Sequence, residues 1–212
     1  MNSAPPYLLA AAGASIDAVV LLSSGVLTAA QTGNTMLFAV ALAREDPATG
    51  LSAGISVAAF VAGTAAGAFG LARFRRGATA VLVCEGALLA ALFAWSLAAP
   101  PGSGWGNGHV TLAALAMGLQ SAFVRGAKVP FATTYVTGVL ASGIAGFVEA
   151  RVTGRTAGER AGGARPWEGV LVWAVYFAAA LGCGALSLAV GGWALLAPLV
   201  FFALAAVLSA RV

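Results

Sequence analysis

Charged residues are scarce in this chain. They make up 8% of the 212 residues, whereas soluble domains carry about 25%. Histidine occurs only once, as His109, which excludes a His-rich metal site and leaves no Ser/His/Asp set to propose. The two cysteines, Cys84 and Cys183, lie far apart inside apolar tracts, so we interpret them as packing residues rather than a disulfide or a metal site. We therefore expect no metal, no cofactor and no enzymatic activity.

Apolar residues dominate instead, at 60% of the chain. They form six tracts, over residues 7–43, 51–72, 78–99, 109–148, 169–190 and 193–210. A membrane-spanning helix needs about 20 apolar residues, so the two longest tracts exceed what one simple helix uses. The sequence predicts an all-α integral membrane protein, with residues 1–212 forming a single transmembrane domain.

The basic residues between the tracts distinguish two topologies. If each long tract crosses twice, eight spans result and the basic residues divide almost evenly between the two sides. If each long tract makes one net crossing, six crossings result and eight arginines share a side, opposed among the loop charges only by Arg44. These eight are Arg73, Arg75, Arg76, Arg151, Arg155, Arg160, Arg165 and Arg211. The positive-inside rule favours six crossings, with both termini cytoplasmic, and it explains the basic residues without a nucleic-acid partner.

The two longest tracts hold more residues than one crossing uses. Residues 7–43 need a break, a re-entrant segment or a helix bent back on itself, because tilt does not absorb so much length. The polar run QTGN at residues 31–34 marks the expected place. Non-helical backbone at membrane depth must be buried in protein or line a wet cavity. We therefore predict that the first long helix of each half is broken or re-entrant.

A gap-free shift by 105 residues aligns the two long tracts. It places Gly13 on Gly118, Val19 on Val124, Thr28 on Thr133, Thr32 on Thr137 and Gly33 on Gly138. A few identities arise by chance in so Ala- and Gly-rich a chain, but the order of tracts, long, normal, normal and then the same again, supports a duplication. Three crossings per unit is an odd number. We therefore expect two inverted repeats, over about residues 7–99 and 109–210, joined by an external loop at 100–108.

Inverted-repeat transporters usually place their substrate site near the membrane midplane, where interrupted helices meet. The candidate substrate-binding residues are Asp17, Thr32, Gly33, Asn34, Gln120, Arg125, Thr137 and Gly138. A charged residue such as Asp17 is costly in lipid and normally has a partner. Because Arg125 aligns with Val20, one helical turn from Asp17, we predict an Asp17–Arg125 pair, either functional or purely structural. The polar groups have the alternative role of hydrogen bonding between helices.

Two other features have less specific interpretations. Glu85 lies in the third tract, near the end that we expect to be cytoplasmic, which favours an interfacial position over a proton relay. Gly63 and Gly67 have the spacing of a close helix contact, and no strand precedes them. We therefore interpret them as packing residues rather than a nucleotide-binding fingerprint.

Four short motifs together resemble a known family. They are GASIDA at residues 13–18, TGN at 32–34, MGLQSA at 117–122 with VR at 124–125, and TG at 137–138. As a set, and in their order along nearly the whole chain, they resemble the YoaK family of bacterial membrane proteins. Members of that family often have Asn where this chain has Ser121, a change that alters the hydrogen-bonding capacity of the position. The resemblance implies a multi-pass membrane protein, and it implies no particular activity.

Three function classes are compatible with these features. The leading hypothesis is a permease or secondary transporter, whose partners are the lipid bilayer and an unknown small solute or ion. Its rival is a non-transporting assembly or regulatory protein, in which the polar residues only join broken helices. A lipid-acting enzyme is disfavoured, because Glu149, Glu168 and His109 form no reactive constellation. Six crossings are few for a lone transporter, which is compatible with a homodimer.

Overall fold

The computed structural model describes residues 4–98, 105–126, 136–153 and 166–209. Within these ranges the chain is helical and contains no strand. The helices are α1 (Ala4–Ser24), α2 (Gln31–Ala43), α3 (Pro47–Arg73), α4 (Gly77–Ala98), α5 (Asn107–Gly126), α6 (Val136–Thr153), α7 (Pro166–Val190) and α8 (Leu196–Ser209), with a 3₁₀ segment, Gly191–Leu195, between the last two. The predicted all-α fold class is confirmed for the described part of the chain.

Among the described residues, four helical stretches are long and apolar enough to cross a membrane. They are Pro5–Ser24, Pro47–Arg73, Gly77–Ala98 and Trp167–Ser209. Helix α5 is not apolar enough to be one of these stretches, although it lies in a tract that we predicted to cross the membrane. The reason is its position, because 12 of its 20 residues are buried inside the protein. A helix surrounded by other helices does not need an apolar surface toward lipid, so it tolerates the polar residues that lower its hydropathy.

The connection between α2 and α3 is a tight turn. Glu45 adopts a left-handed conformation, with φ of 55°. Asp46 then caps α3, its side chain accepting a hydrogen bond from the Thr49 backbone N–H at 3.1 Å, and Pro47 occupies the first turn, where its missing N–H costs nothing. Hydrogen bonding from the side chain and the backbone N–H of Thr49 holds the pKa of the Asp46 carboxyl below its ordinary value. The polar turn ends α2 and reverses the chain into α3.

Helices α3 and α5 pack closely and run parallel. Ser52 donates a hydrogen bond to Asn107 Oδ1 at 2.8 Å near their first turns. Further along, a Cβ added at Gly63 would overlap the Leu115 backbone, and a Cβ added at Gly67 would lie 2.7 Å from the Ala122 side chain. Glycine is required at these contacts because the two backbones approach too closely for a side chain. The packing interpretation of the glycine pair is confirmed.

Helices α1 and α5 face each other at the centre and run antiparallel. Gln120 Nε2 of α5 donates to the Leu9 carbonyl of α1 at 3.0 Å. One turn further along α1, a Cβ at Gly13 would lie 3.7 Å from Met117 Sδ. Around this central pair, α1 packs against α7 and α8, while α5 packs against α3 and α4. Outside this group, α2 packs against α3 and α6 packs against α7.

The contacts also give the directions of α4, α7 and α8. Tyr176 and Gly184 of α7 lie beside Asp17 and Leu22 of α1, so α7 runs parallel to α1. In contrast, the 3₁₀ segment lies beside Ser96 at the end of α4, and Phe202 lies beside Gly86, so α8 runs antiparallel to α4. Gly108 at the start of α5 lies against Trp95 near the end of α4, so these two helices are antiparallel. Taken in chain order without α2 and α6, the six remaining helices therefore alternate in direction.

Candidate functional site

The first long tract is interrupted between α1 and α2, at residues 25–30, which we call the break. Gly25 ends α1 with φ of 74°, a left-handed conformation that glycine adopts readily, and its N–H bonds to the Leu21 carbonyl at 2.9 Å. The chain then turns back along α1, because Thr28 and Ala29 reach the level of Asp17. Helix α2 begins at Gln31, the first residue of the predicted polar run. The first tract is interrupted as predicted, but at residues 25–30 and not at the polar run itself, since Gln31–Asn34 form the first turn of α2.

Asp17 holds one side of the break through five hydrogen-bond donors. Its Oδ1 accepts from the Thr28 N–H at 2.6 Å, the Thr28 hydroxyl at 2.9 Å and the Ala29 N–H at 2.8 Å. Its Oδ2 accepts from the Ala30 N–H at 3.1 Å and the Tyr176 hydroxyl at 3.2 Å. All five contacts are donors, which fits the acceptor-only, ionised form of a carboxyl group. The carboxylate also faces the N-terminal end of α2, where the helix dipole favours negative charge.

A second group of side chains, centred on Asn34, holds the other side of the break. Asn34 Oδ1 accepts from the Leu27 N–H at 2.9 Å, and Asn34 Nδ2 donates to the Leu27 carbonyl at 2.5 Å. The Ser56 hydroxyl of α3 donates to the same carbonyl at 2.6 Å. Gln31 Nε2 donates to the Thr28 carbonyl at 2.7 Å. The polar run therefore bonds backward, to the non-helical backbone that precedes it.

Together these contacts satisfy backbone groups that have no helical partner. Side chains accept from the N–H groups of residues 27–30 and donate to the carbonyls of residues 27 and 28. An unsatisfied backbone group costs several kcal/mol in hydrocarbon, which is why broken helices persist only inside protein. The break is thus a stable structure that holds oriented peptide groups and a carboxylate among packed helices.

The structure brings only some of the predicted site residues together. Asp17 and Asn34 bind the break from opposite sides, and Gln120 lies near it, since its Nε2 would be 3.6 Å from a Cβ at Gly13. Gly33 lies beside Leu27, whose Cδ1 would be 2.7 Å from an added Cβ. The other predicted residues do not contact the break. Thr32 and Thr137 are exposed, Gly138 is half-buried in the first turn of α6, and Arg125 is exposed in the last turn of α5.

The predicted Asp17–Arg125 pair is wrong in this structure. The carboxylate of Asp17 is buried, and its donors come from the break and from Tyr176. Arg125 lies at the far end of α5, next to Gly126, which contacts Leu71 of α3. The prediction failed because it assumed that a buried charge needs an opposite charge, whereas oriented N–H and O–H dipoles serve the same purpose. The second expected break ran from Thr133 to Gly138. Residues 133–135 lie outside the described residues, and Thr137 and Gly138 are helical, in α6.

Sequence reasoning missed three side chains of this cluster. They are Thr28, Ser56 and Tyr176. Thr28 had one signal, since it matches Thr133 in the 105-residue alignment. Ser56 and Tyr176 stand in apolar tracts where a lone hydroxyl is common, and they reach the break from other helices. Only the packing of α3 and α7 against the first tract identifies them.

Glu85 of α4 is the other buried acid of the described chain, and its side chain is fully buried. Its expected interfacial position stays a prediction, because burial between helices does not give its depth in a membrane. Neither carboxyl oxygen has a hydrogen-bond partner. Within the described ranges, no three His, Cys, Asp or Glu side chains are grouped as a metal site requires. Both cysteines are free, Cys84 exposed and Cys183 buried.

Comparison with known proteins identifies a family and no activity. A family model described as "Protein of unknown function (DUF1275)" matches residues 6–208, which include every described helix almost completely. No curated protein matches the chain, and no solved structure matches it. The match covers both long tracts and the break between α1 and α2. The chain therefore belongs to the DUF1275 family.

Proposed function

We propose that this protein is a permease or secondary transporter for a small solute in a bacterial inner membrane, that it has no catalytic activity, and that YoaK is among its relatives. The observation that carries the proposal is the break, which places oriented backbone groups and the Asp17 carboxylate among packed helices. Discontinuous helices with polar ends at such a position are typical of secondary-transporter binding sites.

The directions of the helices support six crossings. Since α1, α4 and α7 run one way and α3, α5 and α8 the other, each of these six helices accounts for one crossing, α8 together with the 3₁₀ segment before it. In the first tract the break returns part of the way, and α2 then runs in the same direction as α1, since Phe38 and Ala41 of α2 lie beside Gly54 and Gly50 of the antiparallel helix α3. This topology leaves the Arg73–Arg76 turn on the side of the N-terminus, as the positive-inside rule requires for cytoplasmic termini.

The packing pattern supports an inverted repeat. The contacts of α1 with α7 and α8 correspond to those of α5 with α3 and α4, and α2 on α3 corresponds to α6 on α7. Thr32 and Gly33 lie in α2, and Thr137 and Gly138, which the 105-residue shift aligns with them, lie in α6. The antiparallel α1–α5 pair lies where a pseudo-two-fold axis in the membrane plane would pass.

We place the solute path along the α1–α5 interface. Asp17, Asn34 and Gln120 line it at the break, with Gly33 allowing the close approach of α2. In the other half, Thr137 and Gly138 begin α6 as Thr32 and Gly33 begin α2, and Arg125 marks the exposed end of α5. A solute would enter by replacing bonds that now close the break on itself, since helix ends bind ions and polar groups when these bonds are released.

Cysteine accessibility tests this proposal. In a variant with Cys84→Ala and Cys183→Ala, one cysteine is introduced by Gln31→Cys at the wall of the break. The matched control is Met36→Cys, an exposed position on the same helix that we expect to face lipid. We expect an impermeant thiol reagent to label the Gln31→Cys protein from both sides of sealed vesicles and to spare the control. Protection of Gln31→Cys from both sides, while a Glu45→Cys loop variant is labelled, would contradict a permease.

A second candidate function is a non-transporting membrane assembly or regulatory protein. The observation that favours it is that side chains of the protein already accept from the N–H groups of residues 27–30, which leaves these groups no capacity for a ligand. In that case the polar cluster would only stabilise the interruption. The same labelling experiment separates the two, since a purely structural break stays protected from both sides.

A further inference from the structure

Glu85 is a buried carboxyl group without a partner. It has no exposed surface, and neither Oε1 nor Oε2 has a hydrogen-bond partner. It is the ninth residue of the 22-residue helix α4, which places it about 12 Å along the helix axis from Gly77. The buried residues on its face of the helix are apolar, namely Val81, Leu89 and Leu92. The side chain therefore lies deep in the packed helices and not at a helix end.

The helices packed against α4 bring no charge to Glu85. On α3, α5, α8 and the 3₁₀ segment, the only ionisable residues are Arg73, His109 and Arg125. Arg73 and Arg125 are exposed at the helix ends. His109 stacks against Trp95, ten residues further along α4, with ring centroids 4.5 Å apart. Cys84, the only other ionisable residue of α4, is exposed, so no described group neutralises a charge on Glu85.

A carboxylate in this position would be an unpaired buried charge. Such charges are avoided in proteins because the loss of hydration is not compensated, and the group instead takes up a proton. A neutral carboxylic acid also fits poorly, since it retains a donor and acceptors with no bonds. An apolar side chain would pack there at lower cost. Intramembrane acids that face the bundle interior commonly carry protons or ions along a pathway.

We propose that Glu85 is a proton-binding site of this protein, neutral when buried and exchanging its proton with water on the side of the Arg73–Arg76 turn. That side is the nearer one, since Glu85 lies eight positions after Gly77, the first residue of α4, and 13 positions before Ala98, its last residue. If the proposed transport function holds, this proton is the coupling ion. The proton site itself rests on the geometry of α4 and does not require transport.

Labelling with dicyclohexylcarbodiimide tests the site. This lipid-soluble reagent forms adducts with protonated carboxyl groups in apolar surroundings, and peptide mass spectrometry locates the adduct in the full-length protein. We expect labelling of Glu85 in membrane vesicles, and little labelling of the exposed acids Glu45 and Asp46 at neutral pH. Glu85→Gln should lose the adduct, and Glu85→Asp should keep it. Absence of an adduct at Glu85 in folded protein would overturn the proposal.

Setting the pH separately on the two sides of sealed, oriented vesicles tests proton exchange. We expect labelling to depend on the pH of the Arg73–Arg76 side. Above the pKa of the carboxyl group, each rise of one pH unit should lower labelling about tenfold, because only the protonated form reacts. Labelling that ignores the pH of both sides would overturn exchange and make Glu85 a static packing residue. If labelling follows the pH while Gln31→Cys stays protected from both sides, the proton site stands and the permease proposal fails.

Discussion

Asp17 and Glu85 are both fully enclosed acids in membrane-like helices, and their surroundings are opposite. Asp17 accepts five hydrogen bonds, three of them from backbone N–H groups that no helix satisfies. Glu85 accepts none. Asp17 therefore has a structural role, since it accepts the hydrogen bonds that stabilise the break. Glu85 has no stabilising contact, so its presence is better explained by the chemistry of its proton.

This difference shows that burial alone does not identify the role of an intramembrane acid. Both residues look alike in the sequence, each a single carboxyl in an apolar tract. A donor shell favours one fixed charge state and resists change, whereas an empty apolar shell makes the charge state depend on access to water. The number of donors around the carboxyl is thus the useful distinction.

The largest expected effect is that of Asp17→Ala. Removal of the carboxylate leaves several buried N–H groups without an acceptor, at about 1–3 kcal/mol each, so we expect a loss of about 3–5 kcal/mol in unfolding free energy. Denaturant unfolding in detergent, followed by tryptophan fluorescence, measures it. Asp17→Asn keeps one acceptor oxygen and should lose less. A loss below about 1 kcal/mol for Asp17→Ala would mean that the break does not depend on this residue.

Glu85→Leu should have the opposite sign. It removes a buried polar group that has no bond, so we expect an increase of about 1–3 kcal/mol in unfolding free energy under the same conditions. Glu85→Gln, which keeps the shape and a polar amide, should change stability less. A clear destabilisation by Glu85→Leu would show that Glu85 has stabilising contacts after all, and the contrast with Asp17 would disappear.

Tyr176→Phe sharpens the contrast by removing one donor from Asp17. The hydroxyl bond to Oδ2 is 3.2 Å long, and loss of one such bond costs about 0.5–1.5 kcal/mol. In the Asp17→Ala background the same substitution should cost almost nothing, because the two groups share one interaction. Equal costs in both backgrounds would show that Tyr176 acts independently of the carboxylate.

The smallest effect is expected at Asp46, an acid outside the packed helices. Because hydrogen bonds from Thr49 lower its pKa in the folded protein, its contribution to stability is present above the unfolded-state pKa. That contribution is lost as the pH falls through the folded-state value. Asp46→Asn retains a side chain that caps helices well but does not titrate. The melting temperature of the Asp46→Asn protein should match that of the wild type at neutral pH and fall less than that of the wild type in acid. An equal fall in the two proteins would contradict this prediction.

Much of the architecture was predictable from the sequence. Tract length and scarcity of charge predicted helices that could span a membrane, and tract length also predicted that the first tract is interrupted. The interruption lies just before the QTGN run and not in it, because the run forms the first turn of α2. The partners of Asp17 were not predictable. A charge pair with Arg125 was the natural expectation from spacing, but the chain folds back on itself and supplies peptide N–H groups instead.

Composition and periodicity alone thus determined that this chain is helical and membrane-like, that its first tract is interrupted, and that few residues are available for chemistry. These properties depend on hydropathy and on local backbone preferences, which act over one or two helical turns. Only the tertiary structure decided that α5 is central, that Tyr176 and Ser56 reach the break, and that Asp17 has donors while Glu85 has none. Those outcomes depend on which helix faces pack together, and contacts between residues distant in sequence decide that.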